Sequence, residues 1–477
     1  MSVEWFSAPD YWTARWMLER GLGAIYLVAF VVALRQFRPL LGEHGLLPVP
    51  PYLRLVTFRE APTLFHLGYS DRRLTVLAAA GAVLSALVVL GLAQAAPLPA
   101  TMLTWFALWL LYLSIVNVGQ TFYAFGWESL LLEAGFLAIF LGDDRTPPPT
   151  LVLLGFLWVC FRVEFGAGLI KLRGDRCWRE LTCMDYHHET QPMPNPLSWY
   201  FHRLPRAFHR LEVLANYAAQ LAAPVGLFLP QPIAALAALF IIGTQGYLVT
   251  SGNYAWLNVL TMATAFPAVP DGAWRIVVPV TPPPLTDPPG WFVAAVLGLT
   301  ALVVFLSYWP VRNMLGRRQL MNYSFNRWHL VNTYGAFGSI SRERYELVIE
   351  GTGEESPSEA DWREYEFKGK PGDPARRPPQ LAPYHLRLDW LMWFLPLSPY
   401  YGERWFLRFI EKLLEGDRGA GSLLRRDPFA GARPRFVRAR LYLYRFTTRH
   451  ERRETGAWWS RSLVGDYLPP VRLDANR

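Results

Sequence analysis

Between Leu74 and Trp127 the chain runs for 54 residues without Asp, Glu, Lys or Arg, and from Val213 to Pro270 it does so again for 58. A single hydrocarbon crossing takes about 20 apolar residues, so both stretches exceed one pass. The pattern predicts a polytopic α-helical membrane protein. A first helix is expected from near Tyr11 to Leu34, its charged early turns lying at the interface or snorkelling to it. Nothing there resembles a cleaved leader, so this helix is expected to stay in the protein. Further spans are expected at Leu74–Leu92, Thr101–Val118, Gly126–Leu141, Leu151–Leu172 and Trp291–Pro310, the last with aromatic ends suited to two interfaces. With the second uncharged stretch this makes about eight spans, give or take two.

From Ser341 onward the last 137 residues hold 25 Arg or Lys and 20 Asp or Glu, a density that belongs in water. Residues 345–350, 362–368 and 440–447 alternate apolar with polar, as strands with one wet face do. Leu386 to Phe394 and Trp405 to Glu415 suit short helices. The chain thus reads as a multi-pass helical domain, 1–335, carrying a polar loop at 174–210, and a soluble C-terminal mixed α/β, sheet-containing domain, 336–477. The net charge of +9 comes without a nucleic-acid motif or a Lys-rich tail. It points to anionic membrane lipids and topology, and no nucleic-acid partner is expected. The cationic loop bearing Arg376 and Arg377 either contacts headgroups or a partner, or is plain solvated surface.

Charges inside apolar helices identify candidate positions. Glu128 and Glu133 are five residues apart, about 500° around a helix or about 140° after one turn, so they do not share a face. Arg162 and Glu164 are two apart and cannot pair as helix neighbours; each needs a partner elsewhere if buried, as does Lys171. Intramembrane ionisable groups are functional candidates by default.

The densest constellation is the polar segment Gly174 to Arg210, with Asp185, His187, His188, Glu189, His202 and His209 among many aromatics. Their spacing matches no metal-site signature, and no metal is assigned. Prolines 192, 194 and 196 make QPMPNP extended and stiff, so it either presents Trp199 and Tyr200 to a partner or plugs the bundle. Cys177 and Cys183 could span a disulfide by separation alone, but they are read as free thiols, like Cys160. No Walker loop, GxSxG elbow or dinucleotide fingerprint occurs, and no cofactor is identified. Between the two parts, NRWHLVNTYGAFGS places Asn326, His329, Asn332 and Tyr334 at a candidate domain interface, where structural hydrogen bonding is the alternative.

The run GLIKLRGDRCWRELTCMDYHHETQPMPNPLSWYFHR, from Gly168 to Arg203, resembles the signature segment of the lipase maturation factor family. The stretches NRWHLVNTYGAFGSISRERYELVIEGT, YEFKGKPGDPARRPPQLAPYHLRLDWLMWF, VRARLYLYRFT and GAWW are similar to that family as well. The resemblance implies a multi-pass membrane protein with a soluble carboxy-terminal domain, acting in eukaryotic members at the endoplasmic reticulum membrane in the maturation of secreted lipases. For this chain it implies a maturation or folding factor for exported or membrane-associated client proteins, lipase-like ones included. The compact chain resembles a bacterial-type member, with an inner-membrane location and an extracytoplasmic C-terminal domain. The membrane part is also distantly similar to that of vitamin K-dependent carboxylases. That likeness keeps an alternative open: a membrane enzyme acting on a lipid, quinone or polypeptide at the bilayer boundary. Under either reading Arg162, Glu164, Lys171, Asp185, His187, His188, Glu189 and Trp199 are the candidate polar functional surface.

Overall fold

The structure is a computed structural model and describes residues 5–397 and 403–473. Its helical part contains, in chain order, α1 (Trp12–Leu41), α2 (Asp71–Val89), α3 (Leu98–Val116), α4 (Gly126–Ala138) and α5 (Thr150–Arg173). Then come α6 (Met184–Thr190), α7 (Ser198–His202), α8 (Arg206–Tyr217), α9 (Ile233–Ser251), α10 (Leu257–Ala265) and α11 (Gly290–Leu315). Of these, α1, α2, α3, α5, α9 and α11 are long and apolar enough to cross a membrane, which makes six. That is the low end of the expected range, because α4 and α10 are apolar but short.

Burial separates inner from outer helices. The apolar windows of α5 and α1 are 61% and 56% buried, whereas that of α11 is 17% buried. The outer helices expose Val76, Val83, Leu236, Val304 and Phe305, side chains that suit hydrocarbon and not water. Local chemistry sets the helix limits. The Ser70 side chain accepts from the Arg73 amide at the start of α2, and Asp71 adds a negative charge beside the free N–H groups of that end. At the other end of the preceding helix, α1 continues seven residues past the expected Leu34, to Leu41. Its extra turns bury Gln36, which bonds the carboxy-terminal part of the chain.

After α11 come a small ladder of β1 (Tyr323–Ser324) with β2 (Asn332–Thr333), then β3 (Arg344–Thr352), β4 (Arg363–Glu364), α12 (Arg387–Phe394), α13 (Glu403–Leu414), β5 (Phe436–Phe446) and β6 (Trp459–Val471). The larger sheet is antiparallel in the order β4-β3-β5-β6. β3 sits centrally and pairs over its whole length with β5, Leu347 opposite Leu441. The expected strand at 362–368 shortens to two residues, because at Glu366 the chain leaves β3 to bridge Arg426. One hydrophobic cluster runs without a break from Leu22 and Phe30 of α1 to Ile349 of β3, Trp390 of α12 and Phe409 of α13. Trp127 meets Trp390 at 4.9 Å between ring centroids, and Phe122 meets Trp405 at 5.9 Å.

Two expectations change here. Cys177 and Cys183 form a disulfide, not free thiols, because the turn Arg176–Arg179 folds back and brings their Cα atoms to 4.9 Å. Arg376 and Arg377 are turned onto the protein's own backbone: Arg376 donates to the Phe367 carbonyl at 2.6 Å, and Arg377 donates to that of Pro196 at 3.0 Å.

Beneath the sheet, Glu346 lies between Arg344 at 2.6 Å and Lys370 at 2.9 Å, and all three are buried. Removing one member of a buried ion cluster strands the remaining charge in a poor solvent for it. Glu346→Ala is therefore expected to cost about 3–5 kcal/mol, read as a lower melting temperature of the purified protein in detergent. Unchanged melting would mean that water reaches the cluster.

Candidate functional site

The intramembrane charges fall into separate networks. On α4, Glu133 faces α5 and pairs with Arg162. Its second oxygen accepts from the Tyr334 hydroxyl at 2.7 Å, the Asn332 amide at 3.0 Å and the Asn332 side chain at 2.9 Å. Arg162 also donates to the Asn332 carbonyl at 2.6 Å. The linker thus threads two of its interface candidates onto an ion pair inside the bundle. A Cβ at Gly166 or Gly174 of the adjoining helix and turn would overlap the carbonyls of Tyr334 and Gly338, so α5 leaves the linker room to lie flat. His329 completes this corner, with Ser129 Oγ at 2.9 Å from Nδ1 and Asn117 Oδ1 at 3.1 Å from Nε2. Asn326 stays outside the network, its Oδ1 accepting from the amides of Trp328 and Leu330.

Glu164 points away from Arg162, as their spacing requires. It accepts from Gln245 at 2.5 Å, and Gln245 in turn accepts from Asn258 at 2.6 Å. Lys171 donates to Asn216 at 2.8 Å and Gln220 at 2.9 Å, with its ammonium 4.7 Å from the centre of the Trp178 ring. Gln220 also bonds Glu164, so Glu164 and Lys171 share one network, whereas Arg162 belongs to that of Glu133.

The segment 174–210 is a plug. His187 sits 3.0 Å from the Tyr254 hydroxyl, which donates to Gln191 at 2.7 Å. Gln191, Asn195 and Ser198 are buried and bond one another and the carbonyls at the end of α9. The sheet grips this plug from the other side. Arg344 donates to the carbonyls of Glu189 at 3.0 Å, Gln191 at 2.5 Å and Pro192 at 3.1 Å. Glu189 accepts from the Phe446 amide at 2.6 Å, with His202 at 3.6 Å from the same oxygen. Trp199 is buried and donates to the Thr447 carbonyl at 2.9 Å, whereas Tyr200 remains exposed. Asp185 and His188 lie on the outer side, 3.1 Å from His209 and Glu212 respectively.

A further hub had no place among the sequence candidates. Arg387, at the start of α12, reaches into the bundle and donates to Glu128 at 2.7 Å and to the Phe122 carbonyl at 2.8 Å, its guanidinium 3.4 Å from the Tyr123 ring centre. Tyr112 donates to the other Glu128 oxygen. Gln36 of α1 brackets this entry, donating to the His385 carbonyl at 2.7 Å and accepting from the Arg387 amide at 3.0 Å. The signal available was Glu128 itself, a buried carboxylate in need of a cation.

The contacts of Glu128, Glu189, Trp199 and Arg344 join the two halves of the chain, and both halves match one family. Residues 13–276 match the model described as the lipase maturation factor transmembrane domain, and residues 330–469 match that of the lipase maturation factor C-terminal domain. The chain belongs to the lipase maturation factor family. It is 42% identical to lipase maturation factor 1 of Homo sapiens, over 98% of this chain and 89% of that protein. Identity is 42% with lipase maturation factor 1 of Mus musculus, over 97% and 88% of the two chains. It is 29% with lipase maturation factor 2 of Gallus gallus, over 95% and 80%. No solved structure matches it. As the family resemblance implied, it is a multi-pass membrane protein with a sheet-containing C-terminal part.

Burial holds four histidines, His187, His202, His329 and His385, neutral. It pushes His202 down to about 3, with Arg203 adding to the effect, and His329 down to about 4, with Arg327 adding to it. His385 is likewise pushed down to about 4, by burial and then by Arg387, and His187 falls well below the ordinary value. An unfolded histidine titrates near 6.5, so between about pH 4 and 6.5 the unfolded chain binds more protons. Their stabilisation is complete above that window and is lost as pH falls through it. His329→Gln is expected to flatten the fall by up to about 1.4 kcal/mol per pH unit, measured as melting temperature against pH beside the parent protein. Equal slopes would place His329 in contact with solvent. Arg387→Met, which strands Glu128, is expected to cost about 3–5 kcal/mol, and Glu128→Gln added to it to recover part of that loss. Additive losses in detergent-solubilised protein would mean the pair is not coupled.

Proposed function

We propose that this protein is a membrane-embedded maturation factor that assists exported or membrane-associated clients, lipases first among them, to reach their active form. The observation that carries the reading is its 42% identity to human lipase maturation factor 1 over nearly the whole of this chain. The geometry supports it in kind. Glu189 and Trp199 bond the Phe446 amide and the Thr447 carbonyl, so these two groups serve to fix the sheet on the bundle. In this reading the candidates on the polar segment and the linker position the sheet on the bundle. The helical domain, 1–335, anchors the protein among membrane lipids, and the C-terminal domain, 336–477, faces the client.

The same reading puts the polar segment and the sheet on one extracytoplasmic or lumenal side. The Cys177–Cys183 disulfide supports this, because such bonds persist where the surroundings are oxidising. A carboxy-terminal phosphatase reporter, active only outside the cytosol, should be active; an inactive phosphatase on a well-expressed fusion would reverse the orientation.

The test of function is coexpression with a secreted lipase in cells lacking their own maturation factor. The expected result is a rise of tenfold or more in activity per mass of secreted lipase, with little change in the mass synthesised. Trp199→Ala should lower that yield in step with the amount of factor surviving in the membrane, as a joint residue would. Unchanged specific activity of the lipase, together with an unaltered exported proteome on deletion, would remove the assignment.

A further inference from the structure

His209 and Glu212 stand three residues apart on α8, so their side chains share one face of that helix. α6 brings His188 to that face, with Nε2 3.1 Å from Glu212 Oε1. One ligand atom from each of His188, His209 and Glu212 lies within 4.8 Å of the other two. The two histidines are buried, and the Glu212 side chain is 6% exposed.

Hydrogen bonding leaves this group unfinished. His188 Nδ1 and Glu212 Oε2 are buried with no hydrogen-bond partner among the described residues. His209 has the opposite problem: Asp185 Oδ1 lies 3.1 Å from Nδ1 and the Phe201 carbonyl 3.1 Å from Nε2. A neutral imidazole carries a single N–H, so one of those two oxygens faces a lone pair unless positive charge is supplied there.

We infer that His188, His209 and Glu212 form a binding site for one divalent transition-metal ion, of the class that takes two imidazoles and a carboxylate. This goes beyond the maturation reading and does not depend on it. Zinc accepts this donor set, at distances of about 2.0–2.2 Å. Tetrahedral ligands at that range stand about 3.4 Å apart; the His188–Glu212 pair, at 3.1 Å, is close to that spacing, and the third donor, within 4.8 Å, has to close in by no more than about 1.4 Å. Charge also balances: Glu212, with Asp185 behind His209, offers two carboxylates to a doubly charged ion, the usual support for a ligating histidine. Three protein donors leave a fourth position open, beside the Tyr247 hydroxyl that bonds Glu212. The ion ties α6 to α8 and so fixes the outer side of the plug. The spacing rules missed the site because its donors converge from two helices, and only His209 and Glu212 belong to one of them.

The test uses the full chain, purified in detergent without a histidine tag, washed with EDTA, reloaded with zinc and freed of excess by gel filtration. Elemental analysis is expected to find one zinc per chain. Glu212→Gln and His209→Ala should each lower retained zinc at least tenfold, and His450→Ala, at an exposed position, should not. Cobalt loaded in place of zinc should give the visible absorption of a four-coordinate ion in the parent protein, a readout independent of whether any variant folds. A parent protein that retains no zinc and gives no cobalt spectrum overturns the site. So does zinc retained equally by folded Glu212→Gln, which would mark it as an adventitious ion only.

Discussion

A carboxylate buried among apolar helices has to be met by a cation, and in this protein that requirement decides how the whole chain assembles. Glu128 and Glu133 lie on one short helix, α4, and because they point to different sides they recruit from different places. Glu133 takes Arg162 of the neighbouring α5, and the pair is then covered by Asn332 and Tyr334 of the linker. Glu128 takes Arg387, which lies 259 positions further along the chain. Each desolvated ion would be expensive alone. Together they tie α4 to its neighbour on one side and to the C-terminal part on the other.

The sheet acquires its place through the same economy of partners. Arg344 lies at the start of β3 and faces both Glu346 and three carbonyls of the polar segment, so a strand residue holds a membrane loop. A proline-rich segment suits this role because it lacks several N–H groups and leaves carbonyls that only an outside donor can satisfy. Its stiffness also keeps the grip in register at little entropic cost. The disulfide at Cys177–Cys183 closes the turn just before it.

Much of this was legible in the sequence. The uncharged runs located the spans, and alternation located β3 and β5, because both signals come from burial on a regular element. β6 was missed: it carries Gly465 and two prolines, and as an edge strand it tolerates residues that a central strand would not. The spacing of Arg162 and Glu164 excluded a mutual pair, and the structure gives each its own network. Spacing could not name the partners, since Asn332, Gln245 and Arg387 are distant in sequence. For the same reason Trp199 was poised between a presented and a packed side chain. Its role turns on Thr447, just beyond β5, whose carbonyl accepts from Trp199 and Arg203.

The long reach between Glu128 and Arg387 also constrains how the protein is made. Synthesis delivers α4 to the membrane well before α12 exists, so Glu128 must spend that interval with Tyr112 as a local donor and without its cation. Insertion of Arg387 then supplies the charge at the moment the carboxy-terminal part folds, and the aromatic cluster of Trp127, Trp256 and Trp390 around His385 closes over the contact. The helical bundle is thus completed by residues of the carboxy-terminal part, which pack on α4 through the same ion pair and the ring contact of Trp127 with Trp390.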